Sequence, residues 1–182
     1  MARVFLGLGS NQTPVTQLQA GLAELRQCYD VIQESPWYIS PAVGFDGPDF
    51  INLVIEIDTD LSLELLSRQL KELEMAFGRP DNAVKFSSRN LDVDILLCDQ
   101  MVGQFGRVLL PRKDVYQYAF VLRPLLDLYP DLACPESGKP MASWWPGMVD
   151  QEIMLYQPVV SSTNQTSSLA ANDALNVQSS AL

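Results

Sequence analysis

The chain has 182 residues, of which 22 are acidic and 12 are basic, so its formal net charge is −10. This length suits one globular domain with a substantial core. The excess of acid argues against a protein that wraps nucleic acid, which would need a basic face.

The N-terminal segment predicts a strand followed by a helix. Residues 4–8 are an apolar run that is too short to span a membrane and has no convincing secretory cleavage pattern. We therefore expect a buried strand and no membrane partner. Thr13 and Pro14 are a typical N-cap and first-turn pair, and apolar residues follow them at helical spacing.

The next segments predict a broken strand, a loop and a strand with two different faces. Residues 31–38 favour extended structure but contain a proline, and residues 40–48 are turn-forming, as in loops that bind ligands. Between residues 50 and 58 every second residue is isoleucine or leucine, so Phe50 and Asn52 share the opposite face. With the loop before them they suit a slot for a flat heterocycle, although an isolated phenylalanine is more often a core residue.

A second helix is predicted to run from Ser62, a suitable N-cap, to Gly78, a typical helix stop. Leucine and phenylalanine recur between these residues at spacings of three and four. Lys71 and Glu74 lie one turn apart and therefore share a face of this helix.

Two acids interrupt the apolar strand that follows the second helix. Residues 79–90 are polar and irregular, and we expect the loop at residues 79–88 to be mobile without nucleotide and to close over a bound nucleotide. The strand at residues 91–97 contains Asp92 and Asp94, although aspartate is a poor strand former. Their side chains would project from one face with Cα atoms about 7 Å apart, because a strand rises about 3.3 Å per residue.

The last third predicts an extended segment at residues 107–110 and a helix that Asp114 caps and that continues past Phe120. The order of elements is that of an α+β, ferredoxin-like (split βαβ) fold. In this fold helices pack on a mostly antiparallel sheet, and here a C-terminal helix is added. We expect the domain to occupy residues 1–157 and the Ser-, Asn- and Ala-rich residues 158–182 to form a flexible tail.

The paired acids suit Mg²⁺, which takes carboxylate oxygens together with phosphates and water. The chain has no histidine, which excludes Cys-His catalysis and leaves oxygen ligands for a metal. Its three cysteines contain no CxxC pair, which indicates the cytoplasm. Arg79, Lys85 and Arg89 precede the acids, as expected for a phosphate chain bridged by metal. The alternative is an exposed strand with solvated acids and ordinary surface charge pairs.

These motifs resemble the 6-hydroxymethyl-7,8-dihydropterin pyrophosphokinases. Enzymes of that family transfer pyrophosphate from ATP to the pterin's hydroxymethyl group in folate biosynthesis and leave AMP. The resemblance covers roughly residues 3–135. Its marks are Gly9-Ser10-Asn11, Phe50-Ile51-Asn52, Glu74 followed by Gly78-Arg79, the run Arg89-Asn90-Leu91-Asp92-Val93-Asp94-Ile95-Leu96, and Pro111 followed by Phe120 to Leu125.

The resemblance implies a role for each matching residue. Asp92 and Asp94 would bind two Mg²⁺ ions, with Arg89 and Arg79 acting on the phosphates. The implied pterin contacts are Phe50, Phe120, Asn52, Ser40, Val43 and Gly44. The implied nucleotide contacts are Lys71, Glu74, Lys85, Phe86, Ile95, Arg107 and Arg112. Lys85 and Phe86 are included as replacements for residues that the family has in this loop. We expect ATP and a dihydropterin as partners, no nucleic acid, and a monomer or weak dimer.

The sequence departs from the family pattern mainly near the phosphates. Asp81 replaces a loop arginine, Phe86 a tryptophan, Arg112 a histidine and Tyr118 an arginine. Two readings therefore stay open, an active pyrophosphokinase with a remodelled phosphate loop and a pterin-binding paralogue of little activity with a regulatory role. A nucleic-acid-binding domain on the same fold is disfavoured by the acid excess.

Overall fold

The computed structural model describes residues 1–78 and 88–158. The strands are β1 (Ala2–Ser10), β2 (Asp30–Glu34), β3 (Tyr38–Ser40), β4 (Phe50–Thr59), β5 (Asp92–Cys98), β6 (Gly103–Phe105), β7 (Val108–Leu110) and β8 (Met154–Leu155). Six of them form an antiparallel sheet with strand order β5-β1-β4-β3-β8, in which β2 also pairs with β4. β6 and β7 form a separate hairpin. The predicted α+β, ferredoxin-like fold is confirmed.

Helices cover both faces of the sheet. α1 (Pro14–Cys28) and α2 (Leu63–Ala76) bury leucines against the face that contains Leu53 and Ile55. α3 (Ala119–Leu128) packs on the opposite face, against Phe5 and Val54. Since both faces of β4 are covered, nearly every residue of this strand is buried, which a sheet with helices on one face would not require.

A proline divides the second predicted strand into β2 and β3. Pro36 has no N–H to donate to β4, so pairing stops at this point. Ser35 compensates in part, because its backbone N–H donates to the Val54 carbonyl (2.9 Å) and its hydroxyl accepts from the Val54 N–H (2.9 Å). The break therefore leaves the Val54 backbone groups satisfied.

Two helix starts differ from the sequence expectation. Thr13 precedes α1, but its backbone is left-handed (φ 45°) and its side chain forms no cap hydrogen bond, while Pro14 does occupy the first turn. The prediction that Asp114 caps the last helix is wrong. Its carboxylate accepts a hydrogen bond from Arg112 (2.6 Å), a short 3₁₀ turn spans Lys113–Tyr116, and α3 begins only at Ala119.

Some sequence predictions lie outside the described residues. These are the loop with Arg79, Lys85 and Phe86, and all but the first residue of the tail at 158–182, so the mobile loop and the domain boundary stay predictions. Within residues 1–78 and 88–158, the helices are too short or too polar to cross a bilayer.

Candidate active site

A cavity of about 450 Å³ opens on the face of the sheet that α3 covers. Its wall contains nine of the residues predicted for metal, phosphate or heterocycle binding: Ser40, Val43, Phe50, Asn52, Arg89, Asp92, Asp94, Arg112 and Phe120. Gly44 lies beside Val43 in the same loop but is not part of the wall. Residues far apart in the sequence thus meet in one concave site.

Strand register builds the floor of this cavity. Two rows of directly opposed residues cross β5, β1 and β4, namely Asp92–Gly9–Asn52 and Asp94–Gly7–Val54. Residues opposed in an antiparallel pair project from the same face. Asp92 and Asn52 are therefore two strand spacings apart, about 10 Å, with a glycine between them.

The two glycines keep the floor open. A Cβ atom at Gly9 would lie 3.0 Å from Asn52 Oδ1, and one at Gly7 would lie 3.2 Å from Leu96 Cδ2. Both distances are closer than ordinary van der Waals contact. The local sequence gave no sign of this requirement, which depends on the pairing of three strands.

Asn52 is oriented by a neighbour from the adjacent strand. Its side chain is 6% exposed, and its Nδ2 donates to Ser40 Oγ at 2.9 Å. Ser40 is itself buried. This hydrogen bond fixes the amide plane and so preorganises the donor and acceptor that Asn52 presents to the cavity.

Two pairs of aromatic rings line the cavity. Phe50 lies edge-on to Phe45, with centroids 6.3 Å apart. The rings of Tyr118 and Phe120, at the start of α3, stack at 5.1 Å. Phe45 was not singled out from the sequence, although its place in a Gly/Pro-rich loop next to Phe50 was an available signal. The four rings form apolar walls for a flat ligand.

Charge is concentrated at the end of the cavity nearest β5. Arg112 Nη2 lies 2.9 Å from Asp94 Oδ2 while its Nε donates to Asp114, and Arg89 Nε lies 4.0 Å from Asp92 Oδ1. Burial, and then the Asp92 carboxylate, raise the pKa of Asp94 to about 7, while Arg112 opposes this rise. Carboxylates crowded in this way favour a bound cation.

The donor set fits Mg²⁺. In the part of the chain that the structure describes, no cluster of three or more His, Cys, Asp or Glu side chains is arranged to hold a metal. Asp92 and Asp94 offer two carboxylates in a cavity with room for a ligand. Mg²⁺ is commonly held by one or two carboxylates and completes its coordination with substrate phosphates and water.

A second cavity of about 280 Å³ adjoins the first. The two share one wall, formed by Asp94, Arg112, Lys113 and Asp114. Ile95 and Arg107, both predicted nucleotide contacts, line the second cavity between α2 and the β6–β7 hairpin. The shared wall lies where a phosphate chain would have to pass from one cavity to the other.

Two predicted nucleotide contacts lie outside both cavities. Lys71 is exposed on α2, whereas Glu74 is 4% exposed. The Glu74 carboxylate accepts a hydrogen bond from the backbone N–H of Val93 (2.8 Å), the residue between the two acids. Glu74 thus fastens β5 to α2, and its contact with a nucleotide stays a prediction, as does that of Lys71.

Comparison with known proteins identifies the family. Residues 5–130 match the family described as 7,8-dihydro-6-hydroxymethylpterin-pyrophosphokinase (HPPK). The chain belongs to the HPPK family. Two relatives named 2-amino-4-hydroxy-6-hydroxymethyldihydropteridine pyrophosphokinase are similar to it. The Haemophilus influenzae protein is 36% identical over 141 residues, which cover 75% of this chain and 88% of the relative. The Pseudomonas aeruginosa protein is 38% identical over 139 residues, which cover 74% and 85%.

Solved structures of HPPK-DHPS proteins share the fold. One, a complex with substrates, has a TM-score of 0.64 at 11% identity and matches 80% of this chain. Another, from Plasmodium falciparum, has a TM-score of 0.61 at 11% identity and matches 81%. This chain spans about 43% of the length of each of these two chains. At such low identity the likeness concerns the HPPK fold alone.

Three hydrogen bonds of Asn11, near this cavity, were not expected from the sequence. Asn11 Nδ2 donates to the Pro48 carbonyl (3.1 Å), and Asn11 Oδ1 accepts from the Arg89 N–H (2.7 Å). The Asn11 backbone N–H donates to the Arg89 carbonyl (3.0 Å). The end of β1 is therefore tied to the segments that precede β4 and β5.

Cavity size alone would not have pointed to this candidate site. A larger open cavity of about 770 Å³ lies at the other end of β1, beside Met1 and the C-terminal end of α1. Among residues 1–78 and 88–158, none of those predicted to bind metal, phosphate or pterin lines it. The chemistry of the side chains, rather than volume, favours the smaller pair of cavities as the candidate site.

Proposed function

We propose that the protein transfers the pyrophosphate group of ATP to the hydroxymethyl group of 6-hydroxymethyl-7,8-dihydropterin, in a Mg²⁺-dependent step of folate biosynthesis that releases AMP. The row Asp92–Gly9–Asn52 is the observation that supports this function best. It joins a ring-recognising amide to the acid pair over about 10 Å, with no side chain between them. The relatives' shared name gives independent support.

The aromatic part of the cavity would bind the pterin ring. Phe50 from β4 and Phe120 from α3 both line the cavity, and the Asn52 amide, which Ser40 orients, would meet the ring edge. A ring bound to Asn52 would extend over Gly9, so its hydroxymethyl group would point towards Asp92 and Asp94. This orientation would bring the nucleophile to the phosphates without any covalent intermediate.

The charged part of the cavity would align the triphosphate. Asp92 and Asp94 would hold two Mg²⁺ ions, which when bound neutralise the phosphates and the charge that develops in transfer. Arg112 on the shared wall and Arg89 beside Asp92 would donate to phosphate oxygens. One of the two carboxylates, or a water, would accept the hydroxyl proton as the oxygen attacks the β-phosphorus.

We place this reaction in the cytoplasm. Cys28, Cys98 and Cys134 are all free thiols, and two of them are buried. Unpaired cysteines are typical of proteins from a reducing compartment.

The direct test is AMP release by the purified protein from ATP, Mg²⁺ and 6-hydroxymethyl-7,8-dihydropterin. We expect AMP only when all three are present, with each omission as a control. Pterin binding by calorimetry without AMP formation would overturn the proposed transfer and would favour the pterin-binding paralogue of little activity.

Lys113 is proposed as a further cation for the phosphates. It is exposed, it lines both cavities, and no ion pair of its side chain is found among residues 1–78 and 88–158. A charge-assisted hydrogen bond contributes about 1.5 kcal/mol or more, which corresponds to roughly tenfold in affinity. Replacing Lys113→Met is therefore expected to raise the KM for ATP about tenfold and to leave the pterin Kd unchanged.

Lys139→Met is the matched control, since Lys139 is also exposed and lines neither cavity. Initial rates at varied ATP measure the first effect, and calorimetry with the dihydropterin measures the second. An unchanged KM for ATP in the Lys113 variant would remove this residue from the phosphate site.

A further inference from the structure

The first turn of α3 has no cap of its own. The preceding Tyr118 forms no side-chain cap hydrogen bond, and its carbonyl accepts from the Val121 N–H (3.1 Å) and the Leu122 N–H (3.0 Å), so Tyr118 provides no acceptor for the Ala119 N–H. Gln151, 32 positions further along the chain, supplies a hydrogen-bond acceptor for the Ala119 N–H. Gln151 Oε1 accepts from the Ala119 N–H (2.8 Å), and Gln151 Nε2 donates to the Gln117 carbonyl (2.7 Å).

Gln151 is itself held in place. Its backbone N–H donates to the Met148 carbonyl (3.0 Å), and the Met148 N–H donates to the Trp145 carbonyl (2.9 Å). Met148 is buried in the core beneath α3. The Gln151 amide therefore bridges two backbone groups of the 117–119 turn, and its own backbone is anchored to the core through Met148.

The same turn forms one wall of the 450 Å³ cavity. Gln117, Tyr118 and Phe120 all line it, whereas Gln151 does not. The N–H of Tyr118 donates to the Asp114 carbonyl (3.0 Å), and the Asp114 side chain bonds Arg112. Residues 112–120 thus connect the side of the cavity that contains Arg112 to the wall that contains Phe120. Gln151 holds this segment at residues 117 and 119.

We propose that Gln151 is a positioning residue for the pterin. By fixing the 117–119 turn it sets the height of the Phe120 ring over the cavity, without touching the substrate. Residue 151 lies beyond residues 5–130, which match the HPPK family, so this contact comes from a segment outside that match. The inference rests on the proposed function, because it takes this cavity to be the place where the ring binds.

The test replaces Gln151→Met, which keeps the length of the side chain and removes both hydrogen bonds. Gln100→Met is the control, since Gln100 is exposed and lines neither cavity. We expect about a tenfold rise in the pterin Kd and KM in the Gln151 variant, with the KM for ATP changed less than twofold. Amide exchange at Ala119 should also become at least tenfold faster, because its acceptor is lost.

Each measurement gives a distinct outcome. Unchanged exchange at Ala119, or pterin and ATP affected equally, would overturn the positioning role. Lower thermal stability with an unchanged pterin Kd would overturn it as well and leave Gln151 a purely structural residue. Pterin binding and amide exchange can be measured without turnover. Wild-type protein that binds pterin but forms no AMP would therefore contradict the proposed transfer and leave this inference intact.

Discussion

Replacing Asp94→Asn is expected to lower the rate of AMP formation about 10³-fold, equivalent to about 4 kcal/mol of transition-state stabilisation. Asparagine keeps the size of the side chain but removes one of the two charges offered to the metal. Asp94 also pairs with Arg112 (2.9 Å), so the change removes one of the two carboxylates that contact this guanidinium, and Asp114 (2.6 Å) remains. Turnover at saturating ATP, pterin and Mg²⁺ measures the effect.

The pterin should still bind to this variant. Asp94 lies one row away from Asn52 on the cavity floor, so calorimetry should give a Kd within about threefold of the unmodified protein. Asp131→Asn is the control, because Asp131 is exposed and lines neither cavity. Asp94→Asn protein with more than a tenth of the original rate would refute the metal-binding role.

Replacing Asn52→Ala is expected to weaken pterin binding about 100-fold while ATP binding persists. The loss of the amide removes hydrogen bonds to the ring edge and leaves polar groups of the ligand unpaired, at a combined cost of about 3 kcal/mol. Calorimetry with the dihydropterin and, separately, with a non-hydrolysable ATP analogue and Mg²⁺ measures the two affinities.

A graded comparison comes from Ser40→Ala. This change removes only the hydroxyl that orients Asn52 (2.9 Å), so its effect on the pterin Kd should be about tenfold and smaller than that of Asn52→Ala. Thermal unfolding of both variants identifies any loss of folded protein, since both residues are buried. Equal pterin affinity in all three proteins would place the ring elsewhere.

Local patterns predicted the parts of the structure that depend on near neighbours. The alternation in residues 50–58 correctly placed Phe50 and Asn52 on one face of β4. The spacing of Asp92 and Asp94 correctly placed both acids in one cavity. Gly78 does end α2, with the positive φ of 88° that glycine adopts readily. These signals work because period and turn chemistry are properties of short segments.

The misses depend on contacts between distant residues. Asp114 has the chemistry of a helix cap, but its carboxylate accepts a hydrogen bond from Arg112. The N–H of Ala119 instead donates to Gln151, 32 positions later. Gly7 and Gly9 are required by strand pairing that no single segment specifies. The burial of Glu74 against β5 likewise depends on a distant partner, the Val93 N–H, which helical spacing does not specify.

If pterin and nucleotide bind in the two cavities as proposed, the wall common to both makes the two binding events thermodynamically dependent on one another. Asp94, Arg112, Lys113 and Asp114 border both spaces, so a ligand that shifts these side chains in one space alters the affinity of the other. Such linkage is reciprocal, so the factor by which the nucleotide changes pterin affinity equals the factor by which pterin changes nucleotide affinity. Whichever substrate arrives first, the free energy of the ternary complex is the same.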